Sequence, residues 1–272
     1  MARPKGIVSL AESADTINMV ITAESGWGKT VFAGTADQRN NGGGKALFLV
    51  ADPEGTVSAK HQGSSAEQLP IPDWDDLIEA YKWLREEGHK EYQWVIIDSI
   101  TEMQKVAMKK ALEIAVRLNA SRDPDVPAIQ DYQKVQNQVL NMIKQFNDLP
   151  CNVIYTALPL RVEDHEGEVY YLPSMQGGQG ALAQQIMGYM SVAGFGTFKR
   201  VKDKDGKEVV ARRIYFQPTD VYRCKDRFDA LGTHKDNITV PQIEKLIRSK
   251  SNTQAPVKKA VSPRKPVRRV AK

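Results

Sequence analysis

The chain has 272 residues, enough for one large α/β domain or two small ones whose core needs no disulfide or metal. Its net charge is +5, yet residues 251–272 hold seven bases and no acid, so residues 1–250 carry a net −2 and the basic pI belongs to a tail. Two cysteines, Cys151 and Cys224, without metal-ligand spacing, exclude a disulfide scaffold and fit reduced thiols in the cytoplasm. No apolar run suits a signal peptide or a span of ~20 residues, so no membrane partner is expected.

Short apolar runs at 17–22, 46–51, 94–97 and 152–156 read as buried strands, near-continuous in apolar character as in a parallel sheet covered on both faces. Helical stripes fall between them. Trp74, Leu77, Ile78, Tyr81 and Leu84 share one face behind a capping Asp73. Ile100 to Leu118 and Ile129 to Phe146 form two more. This alternation predicts βαβ units with right-handed crossovers. After residue 190 the pattern changes: 192–201 and 211–217 flank an Asp205-Gly206 turn and predict a β-hairpin, followed by a short helix from Pro241 to about Lys250. Beyond Ser251 the Ser, Pro, Lys and Arg composition cannot offset the ~1–2 kcal/mol per residue of backbone ordering, which predicts disorder. The expected organisation is an N-terminal extension (1–14), one α/β domain (15–250) and a basic tail (251–272).

Ala23-Glu24-Ser25-Gly26-Trp27-Gly28-Lys29-Thr30 follows the first strand and opens the next helix, fitting the P-loop pattern with Ala23 in place of the first glycine. Glycines let the backbone wrap a phosphate whose charge is met by successive N–H groups and the helix start. Lys29 would reach the β- and γ-phosphates, and the Thr30 hydroxyl would ligate Mg²⁺. Asp98 ends the apolar run 94–97, where a carboxylate holds a water on Mg²⁺ or, alternatively, caps the next helix. Asp52-Pro53-Glu54-Gly55 lies at the carboxyl end of the strand after the P-loop helix, the side on which ligands sit in parallel sheets. Glu54 could take a proton from an attacking water, with Asp52 a helper or a turn-forming residue. ATP and Mg²⁺ are the expected cofactors.

This order of elements resembles the RecA-like recombinase ATPases, and more closely the compact phage-encoded RecA-like proteins of single-strand annealing and recombination. The likeness rests on the P-loop 23–30, Asp-Pro-Glu-Gly 52–55, Ile-Ile-Asp-Ser-Ile-Thr 96–101, the strand 152–157 and Tyr222-Arg-Cys-Lys-Asp-Arg-Phe 222–228. It implies a RecA-like P-loop NTPase with a mainly parallel central sheet, flanking helices and a C-terminal β-hairpin extension. It also implies that Glu54 is the catalytic acid and that Lys225 and Arg227 reach a neighbouring subunit's nucleotide in a ring or filament. A cation aimed at a γ-phosphate in trans is worth about 10³–10⁵ in rate; a solvated Lys/Arg pair flanking Asp226 is the plain alternative. RecA-type recombinases carry a polar sensor after the fourth strand, where this chain offers Thr156.

Two segments resemble the family's DNA-facing loops, 117–130 with Arg122 and 159–180 with Arg161, Tyr170 and Tyr171. The tyrosines could stack on bases and the arginines contact phosphate. Glu163, Asp164, Glu166 and Glu168 oppose this, and an acidic turn joining two strands explains 159–180 equally well. Lys258, Lys259, Arg264 and Lys265 in the tail offer sequence-independent contacts to single-stranded DNA. Lys199 to Arg213 reads as an ordinary solvated hairpin. The resulting expectation is a Mg-dependent, DNA-stimulated ATPase promoting annealing or recombination, with a single-strand-binding protein as a further partner. A hexameric helicase or other DNA motor, and an annealing module with ATP as a structural ligand, are the alternatives.

Overall fold

The computed structural model describes residues 16–177 and 180–254. The N-terminal extension and the tail bases Lys258, Lys259, Arg264 and Lys265 lie outside the described residues. Six parallel strands form the centre of a nine-stranded sheet. They are β1 (Asn18–Ala23), β2 (Ala46–Val50), β3 (Glu67–Pro70), β4 (Trp94–Asp98), β5 (Asn152–Ala157) and the long β8 (Val192–Lys202). Their order is β3-β2-β4-β5-β1-β8, so β5 separates β1 from β4.

The apolar runs become strands because alternate residues enter two cores. Met19 and Ile21 of β1, Phe48 of β2 and Ile96 of β4 face one side. Val20, Leu47, Leu49, Val95 and Ile97 face the other. The first core is closed by α1 (Lys29–Gly34) and α7 (Val240–Gln254); the second by α3 (Trp74–Glu86), α4 (Ile100–Leu118), α5 (Ile129–Asn147) and α6 (Ala181–Tyr189). A short α2 (Val57–His61) follows β2. Asp73 caps α3 by accepting from the Asp75 N–H, while Asp76 returns a bond to the Asp73 N–H. Ser99 caps α4 in the same way, accepting from the Glu102 N–H.

β3 was not expected. Glu-Gln-Leu-Pro has no apolar run, and all four residues are exposed at the sheet edge, where a terminal proline costs no ladder bond. Of the two readings of 159–180, the structure takes the acidic turn between two strands. Strands β6 (Pro159–Glu163) and β7 (Val169–Pro173) pair as a separate two-stranded sheet, turning at Glu166-Gly167. Val162, Tyr170 and Leu172 bury themselves while Arg161 and Glu163 face water, the period of a half-buried hairpin.

β8 and β9 (Glu208–Tyr215) form the expected C-terminal hairpin. Its five-residue turn is held by the Asp203 carboxylate, which accepts from the N–H groups of Asp205 and Lys207. The short strands β10 (Lys225–Asp226) and β11 (His234–Asp236) add antiparallel pairs to β8 and β9. α7 continues four residues past Lys250. No helix among the described residues is long and apolar enough to cross a membrane.

Candidate nucleotide-binding site

The strand order fixes where the chemistry sits. Parallel strands β1, β2, β4 and β5 end at the same edge, bringing the loop after Ala23, the Asp52–Glu54 segment, Asp98 and Thr156 to one side of the sheet. The loop's turn requires its glycines, Gly26 at φ 80° and Gly28 at φ 101°, values that side-chain-bearing residues rarely adopt. Trp27 between them is 2% exposed; its indole packs on Gly196 of β8, and its Nε1–H donates to the Thr197 carbonyl at 3.0 Å. The phosphate loop is therefore bolted to the hairpin through one aromatic side chain.

Lys29 donates to the Ala23 and Glu24 carbonyls at 2.9 and 3.0 Å, closing the loop on itself. Burial holds its pKa below the ordinary lysine value, and the charge of Asp98 works against that shift. Asp98 is bracketed by two hydroxyls. Thr30 Oγ1 donates to Asp98 Oδ2 at 2.5 Å, and Thr156 Oγ1 donates to Oδ1. Thr156, fully buried, thus belongs to the carboxylate's immediate surroundings.

The donor set fits Mg²⁺. One hydroxyl beside one carboxylate, with room for waters and phosphate oxygens, is how that ion is held, rather than an all-protein cage. No cluster of three or more His, Cys, Asp or Glu suited to a metal occurs among the described residues. Glu54 lies on a 3-10 turn, Pro53–Thr56, that packs against α1. Asp52 accepts from the Glu54 N–H at 3.1 Å, which makes it the cap of that turn and leaves Glu54 exposed.

An open cleft of about 550 Å³ runs along the loop, lined by Gly26, Gly28, Lys29 and Thr30, by His61 of α2, and by Arg212 of β9. Sequence reading assigned Arg212 to a solvated hairpin. Its placement depends on the β1–β8–β9 pairing, a long-range feature with no local signal.

The remaining expected residues scatter. Lys225 pairs with Ala193 and therefore lies level with Val20, about 10 Å before the end of β1. Its ammonium bonds the carbonyls of Met187 and Gly188 at 3.0 and 2.9 Å, and Arg227 bonds Gly188 at 2.5 Å. Both close the C-terminus of α6, where cations complement free carbonyls. Burial and the neighbouring Arg227 charge depress the pKa of Lys225.

Arg122 is ion-paired with Asp131, which also accepts from the Ala128 N–H at the start of α5. Tyr170 is buried, with Arg223 4.4 Å above its ring, and this withdraws it from base stacking. Tyr171 is half-buried in an aromatic group with Phe195 and Tyr222, whose rings stack at 4.2 Å. Arg161 is exposed, 3.4 Å from Glu163. Arg161 and Tyr171 are cross-strand partners on one face of the β6–β7 pair, Tyr170 lies on the other, and Arg122 is held at α5.

The family model described as an AAA domain matches residues 15–228. The chain belongs to that family. Its mainly parallel sheet, with the 23–30 loop at the end of β1 and Asp98 at the end of β4 on the same edge, has the layout of a P-loop fold. Among solved structures, this AAA-domain chain is similar to the RadB recombinase, with 9% identity and a TM-score of 0.44 over 83% of this chain and 88% of that one. It is also similar to a second solved structure, an ATPase domain, with 11% identity and a TM-score of 0.36 over 77% of this chain and 84% of that one. No curated protein matches it.

Proposed function

We propose that this AAA-domain protein is a Mg²⁺-dependent ATP hydrolase that acts on single-stranded DNA in annealing or recombination, assembling with nucleotide between subunits. The observation that carries the nucleotide reading is the joining of Thr30, the last residue of the loop turned by its left-handed glycines, to Asp98 and through it to Thr156 by hydrogen bonds. Loop N–H groups and Lys29 would hold the β- and γ-phosphates once Lys29 exchanges its carbonyl partners for phosphate oxygens. Thr30 and, through a water, Asp98 would hold Mg²⁺, which would supply charge neutralisation at those oxygens. Glu54, exposed at the same edge of the sheet, accepts the proton of the attacking water.

Lys225 and Arg227, whose heads rest on the carbonyls ending α6, would serve a neighbouring subunit's nucleotide, the role that the sequence resemblance implies. Tyr171, Arg161 and the tail bases Lys258, Lys259, Arg264 and Lys265 are the remaining candidates for single-strand contacts. The tail's contacts would make affinity fall with salt, at a log–log slope of about −0.7 per base engaged. A single-strand-binding protein as a further partner, a phage origin and a cytoplasmic setting complete the reading.

Nucleotide hydrolysis across a protein titration, with and without single-stranded DNA, tests it. Turnover rising more than linearly with protein and further with DNA is expected, and Lys29→Ala abolishes it. A folded protein that takes up no Mg-ATP in calorimetry overturns the reading. Normal annealing by Lys29→Ala, without DNA-stimulated turnover in the wild type, would reduce ATP to a structural ligand.

A further inference from the structure

The β8–β9 hairpin presents two consecutive arginines with different employment. Arg213 is neutralised: its Nε and Nη2 bond the two carboxylate oxygens of Asp236 at 2.7 and 2.8 Å. Arg212, one residue earlier and so on the opposite face of the strand, has no carboxylate partner among the described residues. Its backbone is pinned, since the Arg212 N–H donates to Asn237 Oδ1 at 2.9 Å and its carbonyl accepts from the Asn237 N–H at 2.8 Å. Its side chain runs back over the loop. Nε donates to the Trp27 carbonyl at 2.9 Å, and the guanidinium covers the open face of Gly28, so that a Cβ built there would lie 3.1 Å from Nε.

Holding one carbonyl uses a single donor of the five in the fork. Arg212 is an exposed residue and lines the same cleft as Lys29 and Thr30. An unpaired planar cation, fixed at its base and open at its end, fits two phosphate oxygens side by side. The strand order also places it on the flank of the loop away from Glu54, because β8 and β9 lie on one side of β1 and β2 on the other.

We propose that Arg212 is a nucleotide-binding residue acting within its own subunit, its guanidinium bonding the phosphate chain of the nucleotide held by the 23–30 loop. The proposal rests on the nucleotide reading above and adds a cis cation to it. Arg212 then reports occupancy to the hairpin that carries it, independently of any cation from a neighbour.

Arg212→Gln separates the two uses of the side chain, because the glutamine Nε2 can occupy the place of the arginine Nε and keep a donor for the Trp27 carbonyl while removing the charge. Calorimetric titration of the full chain with Mg-ATP, Mg-ADP and Mg-GTP, alongside thermal melts without nucleotide, reads the result. Loss of a charge-assisted bond predicts affinity falling about 10- to 100-fold in Arg212→Gln, alike for ATP and GTP since both share the phosphates, with the nucleotide-free melt unchanged. Arg212→Lys, which keeps a point charge, should fall in between. Arg213→Ala should leave nucleotide affinity intact.

Wild-type affinity in Arg212→Gln overturns the proposal and leaves the nucleotide reading standing. A loss confined to one base overturns it in favour of base contact. A wild type that binds none of the three nucleotides overturns both.

Discussion

Gly196→Ala probes the coupling between the phosphate loop and the hairpin. A Cβ at Gly196 would lie 2.6 Å from Trp27 Cε2 and 2.8 Å from Cζ2, closer than carbon atoms approach without displacement. The indole cannot slide away freely, because its Nε1–H is held by the Thr197 carbonyl and its other edge meets Phe32 at 6.2 Å between centroids. The strain therefore passes into the backbone between Gly26 and Gly28. Overpacking by one methyl in such a site costs about 1–3 kcal/mol. For a domain of this size that lowers the melting temperature by roughly 2–12 °C, at about 2–4 °C per kcal/mol. Trp27→Phe removes the obstructing ring at the expense of a cavity and one hydrogen bond. Gly196→Ala in that background should then cost less than it does alone, with a coupling of about 1 kcal/mol or more in a double-mutant cycle of urea melts. Strictly additive costs would refute the account in which the indole transmits the strain. So would a Gly196→Ala protein that melts like the wild type.

Three further outcomes are expected. Thr156→Val removes a buried donor to Asp98, so stability should fall by about 1.5–3 kcal/mol in urea melts while Thr156→Ser stays near wild type; equal stability of the two variants would show that the hydroxyl does not hold the carboxylate. Burial pushes the thiols of Cys151 and Cys224 up to about 11 and about 12, so both should resist a thiol reagent at pH 8 in the folded protein and react once unfolded in urea. The thiolate fraction is then roughly one in a thousand or less, and rapid labelling of either in the native state would contradict the burial. Arg227→Ala removes one of the two cations that donate to the Gly188 carbonyl at the end of α6 and should cost about 0.3–1 kcal/mol; if Arg227 also serves a neighbour, its lost turnover should return on mixing with Lys29→Ala subunits, and no recovery leaves only the helix cap.

What could be read from the sequence follows the range of the interactions involved. β1, β2, β4 and β5 are legible because burial on both faces demands continuous apolar runs, and α3 because Asp73 sits one residue before its stripe. The loop 23–30 is legible because its backbone cannot turn without Gly26 and Gly28. β3 left no trace, since an edge strand whose side chains face water needs no apolar residues. The 159–173 hairpin was legible only as one of two readings, through its acidic turn; the alternation of Val162, Tyr170 and Leu172 is the signal that decides between them. Arg122 and Tyr170 looked like nucleic-acid contacts because sequence shows a residue's chemistry without its partner. Asp131 and Arg223, which occupy them, are brought there by packing.

The same blindness to partners governs the cations. Sequence resemblance singled out Lys225 and Arg227, whose heads here rest on the carbonyls ending α6. Arg212 looked like one of many bases in a hairpin diluted by acids, yet lies against the loop with no carboxylate partner among the described residues. A cation already satisfied by helix carbonyls must give up those bonds to reach a phosphate, so its use is conditional on a neighbour arriving to offset the loss. A cation resting on one carbonyl at the cleft mouth gives up little. Binding within a subunit and activation between subunits would then draw on different residues for a physical reason: Arg212 is available before assembly, and Lys225 and Arg227 only where a second chain presents a triphosphate.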